Sequence, residues 1–275
     1  MNIKQHDFVL EIGSGDNPNP RSDILCDRYI TTSHERAGGF TIRIDRPMVV
    51  ADGMRLPFPD QSFDYVITSH IFEHMDDPVG FAREIMRVGK AGFIEVPSAI
   101  SERVFGWNFH HWYCDIRSGV LTFTPKKEGE QFGGFFHRLI ARELWFRRWF
   151  EEHEHEWYVR MEWKEKIAIR VKTSSVSGDE WALLAAAKPE TLKDCMFAVR
   201  FFLRRCLRKI RKTMRQLVWN VNNSTDWIRL IICPKCYGAL RMHGEGMICN
   251  RCKIVYSVDG RVPILLVEKE KRKGY

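Results

Sequence analysis

Short apolar runs punctuate the first hundred residues, and each stops at a turn former or an acid. Phe8-Val9-Leu10-Glu11-Ile12 runs into Gly13-Ser14-Gly15, while the runs Asp23–Asp27 and Met48–Asp52 both close on an aspartate. Phe63–Thr68 is a fourth run, Phe81, Ile85 and Val88 recur at helical spacing, and Gly92–Val96 returns to strand character before Pro97. Runs this short and this continuously apolar read as buried strands, and their alternation with helical or loop segments predicts an α/β fold with a doubly wound, mainly parallel sheet.

The pattern loosens after residue 100. Arg138–Phe150 has helical spacing with several aromatics, Trp157–Val171 reads as one or two strands, and Trp181–Ala187 reads as a last sheet strand. His153, Glu154, His155 and Glu156 read as solvated positions of an exposed strand rather than a metal site. Beyond Pro189, Thr191 with Asp194 resembles a capping box, and no glycine or proline follows before Val218. Met196, Val199, Leu203, Cys206, Ile210, Met214 and Leu217 form one apolar stripe, while Arg200, Arg204, Arg205, Arg208 and Arg215 crowd the rest of the predicted helix.

Charge sharpens that division. Residues 1–190 carry 24 Lys and Arg against 29 Asp and Glu, whereas residues 191–230 carry 10 against 2 and residues 231–275 carry 9 against 4. An acidic body therefore precedes a basic connector and a basic end. The expected division is 1–189, 190–228 and 229–275. The connector's stripe docks on the body, or residues 193–215 meet RNA phosphates or an anionic membrane surface, and the sequence leaves these open. No run approaches the roughly 18–20 apolar residues that span a bilayer. The start, MNIKQHDFVLEIG, lacks a secretory layout, so a cytoplasmic, or membrane-peripheral, protein is expected.

In a parallel sheet of this kind the ligand lies outside the carboxyl ends of the strands. Glu11, Gly13 and Gly15 follow the first run, Asp27 the second, Asp52 the third, and Ser69 and His70 the fourth. Glycines let backbone approach a ligand closely. One carboxylate can accept both hydroxyls of a ribose, and another can accept from a purine amine. The set describes a nucleoside-shaped slot.

Leu10-Glu11-Ile12-Gly13-Ser14-Gly15, Ala51-Asp52-Gly53-Met54-Arg55-Leu56-Pro57-Phe58 and Ser62-Phe63-Asp64-Tyr65-Val66 resemble the signature segments of class I S-adenosylmethionine-dependent methyltransferases. His70-Ile71-Phe72-Glu73-His74 with Asp76-Asp77-Pro78 resembles the type 11 subgroup, and the likeness covers about residues 7–100. It implies a Rossmann-like domain binding S-adenosylmethionine. By that resemblance Glu11, Gly13, Ser14 and Gly15 shape the methionine side, Asp27 takes the ribose, Asp52, Gly53 and Met54 hold adenine, and Ser69 and His70 face cofactor and substrate. Two departures stand out: Asn17 replaces the usual third glycine, with Pro18 and Pro20 shortening the next helix, and Asp45 is a rival to Asp27. A nicotinamide dehydrogenase shares the first turn, but its glycine fingerprint is incomplete here.

Methyl transfer to oxygen or nitrogen asks for positioning and for a base near the acceptor. His70, Glu73 and His74 are candidates, as are His110 and His111 in the aromatic segment Trp107–Tyr113, with His70 best placed. An inactive nucleic-acid-binding adaptor and an enzyme of cell-surface saccharide or lipid intermediates are the competing readings.

Cys233-Pro234-Lys235-Cys236 and Cys249-Asn250-Arg251-Cys252 supply four thiolates in two knuckles, the ligand set of a closed structural Zn²⁺ site. The flanking text, Cys233–Leu240 and Tyr256–Leu266, resembles a small zinc-ribbon family that includes activator subunits of methyltransferases. That resemblance implies a ribbon that packs on the methyltransferase domain in cis.

Overall fold

A computed structural model describes residues 1–30, 42–126, 133–173 and 225–267. The predicted strand 181–187, the basic helix and the stretch 193–215 lie outside the described residues. The four leading runs form β1 (Val9–Ile12), β2 (Ile24–Asp27), β3 (Met48–Ala51) and β4 (Tyr65–Ser69), followed by α1 (Pro78–Val88) and β5 (Ala91–Pro97). β1 pairs in parallel with β2 on one side and β4 on the other, giving the order β3-β2-β1-β4-β5. The build-up of the sheet thus reverses beside β1, which opens a crevice at the carboxyl ends. Every residue of β1, β2 and β3 is buried, which is why these runs do not alternate with polar residues.

α1 starts at Pro78, with Asp77 Oδ1 accepting from Gly80 N at 2.8 Å, and buries Phe81, Ala82, Ile85 and Val88 on the sheet. The helix expected in shortened form after β1 is absent; residues 14–22 are turns. Arg46 holds them in place, donating to Asn19 O (2.7 Å), Ser22 O (2.8 Å) and Ser22 Oγ (2.9 Å).

Past β5 come α2 (Ala99–Phe105), a hairpin of β6 (Trp112–Arg117) and β7 (Val120–Pro125), α3 (Gly133–Arg142), α4 (Leu144–Glu152), α5 (Glu154–Trp157), β8 (Tyr158–Lys164) and β9 (Ile169–Val171). β8 closes the main sheet antiparallel to β5, while β9 joins β7 in a separate three-stranded sheet. The helix anticipated over 138–150 is two helices, because Glu143 is extended (φ −99°, ψ 109°) and starts a new one. Residues 153–156 are helical rather than strand, since His153 and Glu154 open the turn of α5. No described helix is long and apolar enough to cross a membrane.

The C-terminal module contributes β10 (Leu240–His243), β11 (Gly246–Cys249), β12 (Val255–Asp259) and β13 (Val262–Leu265), paired antiparallel in succession. β13 then pairs in parallel with β3, Ile264 opposite Val50 and Leu265 opposite Ala51, so that both modules share one ten-stranded sheet. Ile232 N donates to Pro57 O at 2.9 Å, and the Arg87 guanidinium lies 4.8 Å from the Tyr237 ring centre. Leu265 and Tyr256 are wholly buried in the same cluster as Val49, Ala51, Leu56 and Phe58. Since Leu265 serves both modules, Leu265→Ala should cost about 2–5 kcal/mol. Calorimetry should then show a single transition at lowered Tm, whereas an unchanged Tm, or two separate transitions, would contradict a shared core.

Candidate functional site

One cavity of about 1300 Å³ opens at the carboxyl ends of β1 to β5. Glu11, Gly13, Ser14, Gly15, Asp27, Asp52, Gly53, Met54, Ser69, His70, His74 and His111 all line it. Gly13 (φ +72°) and Gly15 (φ +54°) turn the chain sharply beyond β1. A Cβ on Gly13 would collide with Ile71, whereas Gly15 faces open space. Between them, Ser14 Oγ is buried without a hydrogen-bond partner among the described residues.

Asp27 and Asp52 stand at neighbouring strand ends. Asp27 Oδ1 accepts from Tyr29 N at 3.1 Å, and Asp52 Oδ1 accepts from Met54 N at 2.8 Å. These bonds fix both carboxylates over the cavity. Arg28, which sequence reading passed over, places Nη1 3.6 Å from Asp52 Oδ2. Glu11 is engaged elsewhere: Oε2 accepts from Ser22 Oγ (2.6 Å) and Asn19 N (2.8 Å), bracing the turns that replace the missing helix. Burial pushes its carboxyl pKa up, an effect that Ser22, Asn19 and Arg46 only partly offset. Asp45 is buried against Arg46 Nε (2.7 Å) and Arg43 Nε (3.3 Å), so the two arginines occupy the rival acid away from the cavity wall.

The far side of the cavity is rich in histidine. His70 takes a left-handed backbone (φ +58°), a strained setting for a non-glycine residue, with N donating to Glu95 O at 2.9 Å. Its ring lies between Glu73 Oε1 (3.3 Å from Nδ1) and Glu95 Oε1 (3.7 Å from Nε2), edge-on to Tyr158. Burial works to lower the imidazole pKa, but the close Glu73 carboxylate and the charge of Glu95 outweigh it, and the net direction is up. His74 belongs to a single 3₁₀ turn, Phe72–His74, and stacks on Phe109 at 5.6 Å. His111 sits at the rim, 45% exposed, with Nδ1 3.2 Å from Asp76 Oδ1.

His110 is the buried member of its pair: Nδ1 lies 2.6 Å from Glu102 Oε2, and Lys126 grips the other Glu102 oxygen. His137 on α3 also reaches the cavity wall, its pKa lowered chiefly by burial. Glu102, Lys126 and His137 carried no local signal. They meet the cavity only because α2, the β6–β7 hairpin and α3 fold over it.

Across the sheet, Cys233, Cys236, Cys249 and Cys252 place their sulfurs within 4.8 Å of one another. Cys233 Sγ and Cys252 Sγ are 3.6 Å apart, Cys236 Sγ and Cys249 Sγ 3.4 Å, and all four are free thiols. Tetrahedral zinc with Zn–S of about 2.3 Å asks for sulfurs roughly 3.8 Å apart. The donor set fits.

The family described as Methyltransferase domain matches residues 27–94. Ajmaline N-methyltransferase of Rauvolfia serpentina is 31% identical over 94 residues, 28% of this chain and 32% of that enzyme. A UPF0434 protein of Vesicomyosocius okutanii is 34% identical over 44 residues, 16% of this chain and 75% of that protein. Among solved structures, the complex of the Haloferax volcanii Trm112 methyltransferase activator with a putative methyltransferase is similar at 22% identity and TM-score 0.29, covering 37% of this chain and 50% of that one. The YcgJ protein of Bacillus subtilis is similar at 21% identity and TM-score 0.29, covering 39% and 53%. The chain thus spans about a third of the length of the curated methyltransferase and about half of these structures. Residues 27–94 thus match a methyltransferase domain, and by the match that spans 75% of a small relative the chain belongs to the UPF0434 protein family.

Proposed function

We propose that the protein is an S-adenosylmethionine-dependent methyltransferase acting on an oxygen or nitrogen nucleophile, with a structural zinc ribbon built into its sheet. The observation that carries this reading is the cavity at the reversal of strand order, with Gly13, Gly15, Asp27 and Asp52 on adjacent strand ends. Bound there, the cofactor supplies an activated methyl group on a sulfonium. The chain's own part is to bind, orient and deprotonate. Gly13 and Gly15 admit a close approach of the backbone and Ser14 offers its hydroxyl; Glu11 shapes that end through the turn it braces. Asp27 accepts the ribose hydroxyls, and Asp52 with Gly53 and Met54 holds the adenine. Ser69 and His70 face the reacting end.

His70 is the base in this reading. Glu73 and Glu95 flank its ring and stabilise the imidazolium formed when it takes the acceptor's proton. His74 and His111 are positioning residues at the acceptor side, one beneath the aromatic wall and one at the rim. The exclusion of water falls to Trp107, Phe109 and Phe150, which line the same cavity. The four cysteines hold a Zn²⁺ with no open position, so this metal contributes folding free energy rather than chemistry.

Calorimetry tests the cofactor assignment. S-adenosylmethionine should bind, Gly13→Arg should abolish binding, and Asp27→Ala should weaken it by about tenfold or more through loss of charged hydrogen bonds. Absence of binding to the unaltered protein would favour the adaptor reading instead. His70→Gln should leave that binding intact and lower turnover by about 10²–10⁴; full turnover in the variant would remove His70 from the reaction. Chelating the zinc should lower the melting temperature of the whole chain, because the ribbon covers the edge of β3. Unfolding of the ribbon alone, with the body unmoved, would contradict this.

A further inference from the structure

Behind the histidine wall three side chains converge: Glu73, which also flanks His70, His74 on the acceptor side, and His110, to which the methyl-transfer reading gives no part. Glu73, His74 and His110 bring one carboxylate oxygen and two ring nitrogens within 4.8 Å of one another. We propose that Glu73, His74 and His110 form a second metal site, separate from the four cysteines, which binds a divalent first-row transition metal and leaves positions open toward an acceptor carrying oxygen donors. Its catalytic meaning rests on the methyltransferase reading; its capacity to bind metal does not.

The first ground is the state of Glu73. It is 1% exposed, and among the described residues neither carboxylate oxygen takes part in a hydrogen bond of normal geometry. His70 Nδ1 lies 3.3 Å from its Oε1. A carboxylate sealed from water is costly unless a charge or full hydrogen bonding compensates it, and a divalent cation does so in one contact.

The second ground is the way His110 is held. Nδ1 faces Glu102 Oε2 at 2.6 Å, and Glu102 is fixed in turn by Lys126 and by Trp107 N at 3.1 Å. A buried carboxylate bonded to one ring nitrogen sets the imidazole's orientation and raises the basicity of the other nitrogen, the arrangement found around metal-ligating histidines. His110 is 7% exposed, so this pairing serves an interior group. His74 is held by packing, stacked on Phe109 at 5.6 Å and edge-on to His110 at 4.7 Å.

The donor set decides the metal class. Two imidazoles and one carboxylate suit divalent manganese, iron, cobalt, nickel or zinc, and a three-ligand set leaves coordination positions free. His74 and His110 both line the cavity, so those positions face the space assigned to the acceptor. An acceptor with a hydroxyl beside a second oxygen donor would complete the shell and be held for transfer. The ribbon's thiolates form a different kind of site, which lets the two metals be told apart.

The test uses the full-length, zinc-loaded protein dialysed against cobalt(II), with cobalt and zinc counted per chain. The expected result is one cobalt per chain beyond the retained ribbon zinc. Glu73→Gln and His110→Gln should each weaken cobalt binding at least about tenfold, and Glu102→Gln about 10–100-fold through His110. Cobalt found only in exchange for ribbon zinc, or bound equally by all the variants, would overturn the site. In the unaltered protein, bound cobalt should also shift and broaden the His74 and His110 imidazole resonances. Unmoved resonances would overturn it even where a variant folds poorly. S-adenosylmethionine binding is measured separately without cobalt, so loss of cofactor binding with cobalt retained sinks the methyltransferase reading alone, and the reverse sinks the metal site alone.

Discussion

The parallel pairing of β1 with β2 on one flank and β4 on the other is the constraint on which the rest of the structure depends. Because the chain leaves β1 toward one side of the sheet and later returns to the other, no connection fills the space beyond its carboxyl end. Gly13 and Gly15 can occupy that space with positive φ, and the ends of β2, β3 and β4 surround it with Asp27, Asp52, Ser69 and His70. The Glu11–Ser22–Arg46 network preserves the opening where a helix is missing, tying the turns 14–22 back to β1. Polar groups that would destabilise a core are tolerated here because they face a cavity.

The same sheet joins the two modules. A bare β3 would present an unpaired edge, which soluble proteins cover or blunt. β13 covers it with its own backbone, and Leu265 and Tyr256 extend the apolar cluster of the body into the ribbon. Arg87 links the surfaces from the body's side, bonded to Glu84, Asp60 and the carbonyls of Leu56 and Phe58 while its guanidinium rests on Tyr237. The module that carries the four cysteines thus shares a sheet with the cavity wall, since Asp52 directly follows β3.

The strand ends were legible in the sequence because each is a local event: a buried four-residue run interrupted by glycine or aspartate. The four cysteines were legible for the same reason, through spacing. Residues beyond β5 were not. β9 pairs with β7 rather than with a near neighbour, and the break at Glu143 depends on how α3 and α4 pack, which the apolar spacing of 138–150 does not record. His110 and His111 are adjacent and equivalent as text; only the long-range placement of Glu102 and Lys126 makes one a buried, oriented ring and leaves the other at the rim. Arg28 beside Asp52 and the arginines around Asp45 were likewise invisible, because ion pairing between strand ends follows from sheet order.

The central claim is that the crevice beside β1 holds a sulfonium nucleoside in one orientation. The most direct measurement is a crystal structure of the protein grown with S-adenosylhomocysteine, the product left after transfer. Ribose hydroxyls should lie within hydrogen-bond distance of Asp27, adenine beside Asp52 and Met54, and the sulfur should turn toward His70. A nucleoside bound elsewhere on the chain, or seated in the crevice with its sulfur turned away from His70, would contradict it.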